Sequence, residues 1–156
     1  MSTIISNCGT YRYRLERIFG PQPETCMFIM LNPSTADHVI NDLTVKRCLR
    51  FAAAFGCGRL LVGNLFAYRT TWPEELKLAV KPEGPNNLRH LKRMCMESNI
   101  VIAAWGENGK FLGQDQKILA KLWEWGVPLH VLKLSKGGHP RHPSRLSAAL
   151  VPQLGK

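Results

Sequence analysis

The sequence predicts an α/β fold, a three-layer sandwich with a mainly parallel, four-stranded central sheet and helices on both of its faces. Four short apolar runs lack the alternation of a half-exposed strand, as strands covered on both sides do. Segments with helical apolar spacing separate these runs, so parallel strands joined by right-handed crossovers are expected. A polar, turn-rich loop follows each run. Four such loops meet at the carboxyl edge of the sheet, where open sheets of this kind bind ligands.

The elements follow in chain order. Tyr11-Arg12-Tyr13-Arg14-Leu15 alternates residue type at period two, the pattern of a half-exposed strand with a basic edge. After Gly20-Pro21-Gln22-Pro23, the stretch from Cys26 to Leu31 is continuously apolar and stops at Asn32-Pro33-Ser34. It reads as a strand buried on both faces. Asp42 is placed to cap a helix from about Leu43 to Phe55, whose apolar stripe is Leu43, Cys48, Leu49, Ala52 and Phe55 and which Gly56 ends. Lys46, Arg47 and Arg50 lie on its other face.

Leu60 to Phe66 is the second buried run, and it contains one polar residue, Asn64. A polar side chain there requires a partner or a ligand. Trp72-Pro73-Glu74-Glu75-Leu76 begins a short helix, because proline suits a first helical turn, and Pro82-Glu83-Gly84-Pro85 closes that excursion. A helix from about Asn87 to Glu97 leads into the strand Ile100 to Trp105, and one from about Gln114 to Trp125 into the strand Leu129 to Leu134.

At 156 residues the chain is read as one domain, residues 1–156, long enough to bury a core without staples. Its 45% hydrophobic content excludes disorder. With 21 basic and 11 acidic residues the net charge is +10, which points to an anionic partner. No apolar run approaches a membrane span and the start lacks the pattern of a leader, so a soluble, cytoplasmic chain with no membrane partner is expected, and a monomer. The five cysteines are odd in number and widely spaced, which reads as free thiols rather than a zinc or iron–sulfur site. Walker, dinucleotide, nucleophile-elbow and zinc-protease motifs are absent from the sequence. No cofactor is expected.

The stretch Gly137-Gly138-His139-Pro140-Arg141-His142-Pro143-Ser144-Arg145-Leu146-Ser147 carries the most chemistry. Its prolines fix the backbone, its glycines admit close approach, and its cations face an anion, so it reads as a phosphate-gripping loop or as a proline-rich surface connection. A histidine there is suited to stabilising a developing anion. Asp37, beyond the first buried strand, is a candidate acid or base, whereas Asp42 is read as a helix cap.

Set in order, these residues resemble the uracil-DNA glycosylase superfamily. Met30-Leu31-Asn32-Pro33-Ser34 is similar to that superfamily's first motif, Gly-Gln-Asp-Pro-Tyr-His in the uracil enzymes and Gly-Ile-Asn-Pro-Gly in the mismatch-specific ones. His142-Pro143-Ser144-Arg145-Leu146-Ser147 resembles the second motif, His-Pro-Ser-Pro-Leu-Ser. Between them, Val62 to Arg69 is similar to the strand that carries the base-reading Asn, and Ala104-Trp105-Gly106 to the Leu-Trp-Gly strand. The whole chain looks most like a bacterial family of small domains that is a branch of this superfamily.

The resemblance implies a uracil-DNA glycosylase-like fold and a DNA glycosylase that hydrolyses the N-glycosidic bond of a flipped-out base. It implies that Asn32 positions the water, His142 stabilises the departing base and Asn64 reads its edge. Pro33 and Ser34 then hold sugar and backbone, Pro143, Ser144 and Arg145 grip phosphate, and Leu146 wedges into the base stack. Arg69, Lys136 and Arg141 extend the electrostatic footprint. Two departures redirect it. Asn32 has no carboxylate, so water activation is weak or falls to another residue such as Asp37. Ser34 stands where the uracil enzymes have a bulky Tyr, which leaves room for a 5-modified or mismatched pyrimidine, with modified cytosine of phage DNA as one case and DNA repair or antiphage defence as the setting. The competing readings are a non-catalytic basic DNA-binding module of the same fold, and an enzyme acting on small nucleosides or nucleotides.

Overall fold

The computed structural model describes residues 2–34, 42–144, 146–147 and 150–154. Seven strands form one sheet: β1 (Ser2–Ile5), β2 (Arg12–Ile18), β3 (Thr25–Met30), β4 (Arg59–Asn64), β5 (Ile100–Ala103), β6 (Leu129–Val131) and β7 (Gln153–Leu154), in the order β1-β2-β4-β3-β5-β6-β7. The sheet is mixed. β4, β3, β5 and β6 run parallel to one another, while β1 on β2, β2 on β4 and β7 on β6 are antiparallel. The expected three-layer, mainly parallel, four-stranded and uracil-DNA glycosylase-like arrangement is therefore corrected to a seven-stranded mixed sheet. The antiparallel strands at its margins carry little apolar signal of their own: β1 is a short stretch and β7 has two exposed residues.

Alternate residues of the central strands enter two separate apolar clusters, as period-two geometry requires. Cys26, Phe28 and Met30 of β3 join Leu60 and Val62 of β4 and the helix α1 (Leu43–Ala54) through Val45, Cys48, Phe51 and Ala52. Met27 and Ile29 join Leu61 and the helices α2 (Pro73–Leu78), α3 (Asn87–Met96) and α4 (Gln114–Glu124) through Leu76, Leu91, Met94, Ile118 and Leu122. Leu43, expected in the stripe of α1, is 79% exposed. Asp42 caps α1, its Oδ1 accepting from the Val45 amide at 2.8 Å. Among the described residues, no helix is long and apolar enough to cross a membrane.

The strand near the start departs most from expectation. β2 is internal rather than an edge, and Arg12, Arg14 and Arg17 are all buried. Arg14 donates to both oxygens of Glu97 at 2.7 and 2.9 Å, and Arg59 donates to Glu97 at 2.8 Å and to Glu16 at 2.5 Å. These ion pairs join β2, β4 and the end of α3. A β-bulge interrupts β2: Ile4 pairs with Arg14 and Ile5 with Arg12, so Tyr13 is passed over. Its ring instead stacks on His90 of α3, with centroids 5.0 Å apart.

The end of β4 is held closely. Gly63 lets α3 press onto the strand, since a Cβ there would lie 2.6 Å from Leu91 Cδ2 and 2.8 Å from Met94 Cε. Asn87 Nδ2 donates to the carbonyl of Asn64 at 2.8 Å, and Gln114 Nε2 to that of Leu65 at 3.1 Å. The backbone around Asn64 is pinned by side chains from two helices.

Candidate functional site

A cavity of about 170 Å³ opens beyond the carboxyl ends of β3 and β4, and Arg12, Asn32, Ser34, Asp42, Asn64 and His142 line it. Four of these six, Asn32, Ser34, Asn64 and His142, are expected site residues from three distant parts of the sequence. An engineered cavity of about 150 Å³ takes one benzene, so this space suits a single six-membered ring.

Asn64 is the most informative of them. Its side chain is 1% exposed, and neither Nδ2 nor Oδ1 has a hydrogen-bond partner. Buried polar groups are rarely left so, and each such group costs about 1–3 kcal/mol. The strand cannot shift to relieve it, because Asn87 and Gln114 hold the adjacent carbonyls. A preorganised donor and acceptor therefore stand in a ring-sized cavity.

Asn32 follows β3, and its Nδ2 is committed to backbone, donating to the carbonyls of Thr70 at 2.7 Å and Pro33 at 3.2 Å. Oδ1, an acceptor, is left toward the cavity. Pro33 is buried, and its carbonyl also accepts from the Thr70 amide at 3.0 Å, which ties the loop after β3 to the one after β4. Ser34 Oγ donates to Asp42 Oδ2. Asp42 thus has two roles, capping α1 with one oxygen and lining the cavity with the other. Asp37 lies outside the described residues.

His142 is fixed as to tautomer. The Ser144 amide donates to its Nδ1 at 3.1 Å, so Nδ1 is unprotonated and Nε2 carries the hydrogen. Burial pushes its pKa below the ordinary value, with Arg47 acting in the same direction and Asp42 opposing. The neutral ring, a donor through Nε2, is the form favoured near neutral pH, in place of the charged one expected from sequence. Ser144 Oγ lies 2.8 Å from the same Nδ1. Arg47 of α1 clamps the loop, Nε donating to the Pro143 carbonyl at 2.9 Å and Nη2 to that of Leu146 at 2.7 Å.

The remaining expected residues lie outside the cavity. Lys136 is exposed and Arg141 half-buried on the β6–β7 connection, where the Arg141 amide donates to the Lys133 carbonyl at 2.8 Å. Arg69 is half-buried, with Nη1 3.3 Å from the Gly9 carbonyl. Arg145 lies outside the described residues. Leu146 is corrected as a wedge: at 6% exposed it belongs to the apolar cluster around α1, and a wedge must stand free. The exposed apolar side chains flanking cavity residues are Trp72, which follows Thr70 and Thr71, and Leu43, which lies between Asp42 and Thr44.

Sequence reading missed Arg12, Arg47 and the second role of Asp42. Arg12 is 3% exposed, and burial pulls its guanidinium down to about 10, with Asp42 opposing, so it keeps its charge at neutral pH. Alternation placed it at an exposed edge, and Arg47 stood among the cations of a polar helix face. Neither carries a local signal of its role. Among the described residues, no group of three or more His, Cys, Asp and Glu side chains is placed to hold a metal ion.

No curated protein and no solved structure matches the chain. Residues 12–144, which span β2 to the loop that carries His142, match one family along nearly their whole length, and the chain belongs to it: Protein of unknown function (DUF1643).

Proposed function

We propose that this chain is a DNA glycosylase that hydrolyses the N-glycosidic bond of a flipped-out pyrimidine and leaves an abasic site. The observation that carries the reading is Asn64: a buried, rigidly held carboxamide with both polar atoms unpartnered, in a cavity sized for one ring. A pyrimidine edge offers the complementary donor and acceptor. Around it stand an acceptor for water, Asn32 Oδ1, and a neutral donor for the leaving ring, His142 Nε2.

The chemistry follows from these atoms. The bond between the sugar carbon and the ring nitrogen breaks with its electron pair going to the ring, and the His142 N–H donates to a ring oxygen on which that charge settles. Water held at Asn32 adds its oxygen to the sugar carbon. Its proton passes toward the Ser34–Asp42 pair, Asp42 being the carboxylate that lines the cavity among the described residues. Protonation of the ring anion completes the balance. Ser34, small and turned toward Asp42, leaves space beside the ring, consistent with a 5-modified or mismatched pyrimidine. Lys133, Lys136 and Arg141 supply phosphate contacts, and Trp72 or Leu43 takes the place at the rim that Leu146 does not fill. The setting we propose is repair of DNA or defence against phage DNA.

The test is incubation with labelled duplexes carrying uracil, mismatched thymine, hydroxymethylcytosine or glucosylated hydroxymethylcytosine, followed by alkaline cleavage. An abasic product from one duplex, lost in Asn32→Ala and His142→Ala, supports the reading. Tight, salt-sensitive binding with no product from any duplex establishes the non-catalytic DNA-binding module instead.

A further inference from the structure

The described cavity contains one side chain for which the glycosylase reading has no use so far. Arg12 comes from β2, a strand that runs antiparallel to β4 and supplies no other side chain to the cavity lining. Regular alternation would put it on the same face as Arg14, whose guanidinium turns to Glu97 at the end of α3. The bulge at Tyr13 reverses that. With Tyr13 passed over in the β1–β2 register, Arg12 comes to the α1 side and lines the cavity with Val45 and Cys48. Bulges beside sites serve to re-aim a side chain.

A charged guanidinium that is 3% exposed is costly to desolvate. It brings five N–H donors and no acceptor. With the Nε2–H of His142 and the Nδ2–H of Asn64, it makes the cavity rich in donors. A ring with carbonyl oxygens matches that arrangement. A ring with an exocyclic amine sets donor against donor, and a ring that departs as an anion gains further from the fixed positive charge.

We propose that Arg12 is a specificity-determining residue: its guanidinium takes a carbonyl oxygen of the bound ring, so that the cavity selects oxo pyrimidines that leave as anions. This inference rests on the glycosylase reading above and names its substrate class. Arg12 transfers no proton. It meets the charge that arrives on the ring when the glycosidic electron pair does.

Binding of free rings to the full chain, measured by calorimetry at neutral pH, tests it without any DNA cleavage. The probes are barbiturate, an oxo ring already ionised at that pH, uracil and cytosine. The expected order is barbiturate, then uracil, then cytosine, with barbiturate favoured over uracil about tenfold or more. Arg12→Gln abolishes the preference for the anion while uracil still binds, and Arg12→Lys, which keeps the charge without the planar fork, retains part of it. Circular dichroism and melting check the fold of each variant, and Arg12→Lys carries the test where Arg12→Gln unfolds. Equal affinity for barbiturate and uracil, tightest binding of cytosine, no binding of any ring, or an intact preference in Arg12→Gln would each overturn the proposal. The abasic-site assay judges the glycosylase reading separately, so the two failures are distinguishable.

Discussion

Replacing Asn64 with leucine separates a ligand-reading carboxamide from a structural one, because the two roles predict opposite signs for stability. The side chain is 1% exposed and both amide atoms lack partners, so the folded protein bears their desolvation uncompensated. Each such group costs about 1–3 kcal/mol, and exchange for an apolar group of similar shape removes that cost. The contacts that hold the strand here are made by the backbone carbonyls of Asn64 and Leu65, which the substitution does not touch. Allowing for some strain from the branched side chain, Asn64→Leu is expected to gain about 1–2 kcal/mol. For a chain of this length that is a rise in Tm of roughly 3–6 °C. Urea denaturation with an unchanged m value measures the gain, and the abasic-site assay on the same preparation should show turnover lost. A loss of about 1 kcal/mol or more, or retained turnover, would show that the carboxamide serves the fold and would remove the observation on which the proposed function rests.

The other predictions address neighbouring groups. Asp42→Asn keeps an oxygen for the Val45 amide and so keeps the cap, whereas Asp42→Ala forfeits about 1 kcal/mol more; turnover should fall at least about 100-fold in both, and full turnover in Asp42→Asn would confine Asp42 to capping. Because burial holds the His142 pKa below its ordinary value and the neutral ring is the working form, kcat/KM should be flat at neutral pH and fall as pH drops below about 6.5. In Asp42→Asn that limb should move lower, since Asp42 opposes the shift, and a rate that rises on acidification would contradict the donor role of neutral His142. Arg47→Ala removes two hydrogen bonds to the loop and should cost about 1.5–3 kcal/mol, with faster hydrogen exchange at the Ser144 amide; unchanged exchange there would mean the clamp is idle. Glu97 is held at about 2 against an ordinary 4.5, first by Arg14 and then by Arg59, so its contribution is complete above pH 4.5 and is lost as pH falls through 2. The shift corresponds to at most about 3 kcal/mol, and screening of a side chain 32% exposed reduces this to about 1–2. Urea midpoints of the parent chain and Glu97→Gln should converge over that acid window, and a constant gap would refute the linkage.

What was legible from sequence was local. The apolar run from Cys26 to Leu31, the helical spacing after Asp42 and the lone polar residue at Asn64 each depend on a few consecutive residues, and β3, α1 and the unpartnered carboxamide stand there. The identities of Asn32, Ser34, Asn64 and His142 as residues of one site also came from sequence, through motif order, and the cavity holds all four. The architecture of the sheet was not legible, because strand pairing is a choice of distant partner: nothing in Ser2–Ile5 or Gln153–Leu154 specifies a neighbour until the chain has closed around it. Arg12 shows the same limit at the scale of one side chain. Its face is set by a bulge that exists only in register with β1, and a one-residue slip turns every preceding side chain over. Leu146, read as an exposed wedge, is drawn into the core beside α1, and Arg47, read as a solvated cation, closes the loop around it. Sequence by itself determined which chemical groups the chain carries and which stretches bury or coil. Tertiary structure alone decided which groups share a cavity and which charges lose their water, because burial depends on every element packed around a residue and not only on its neighbours in the chain.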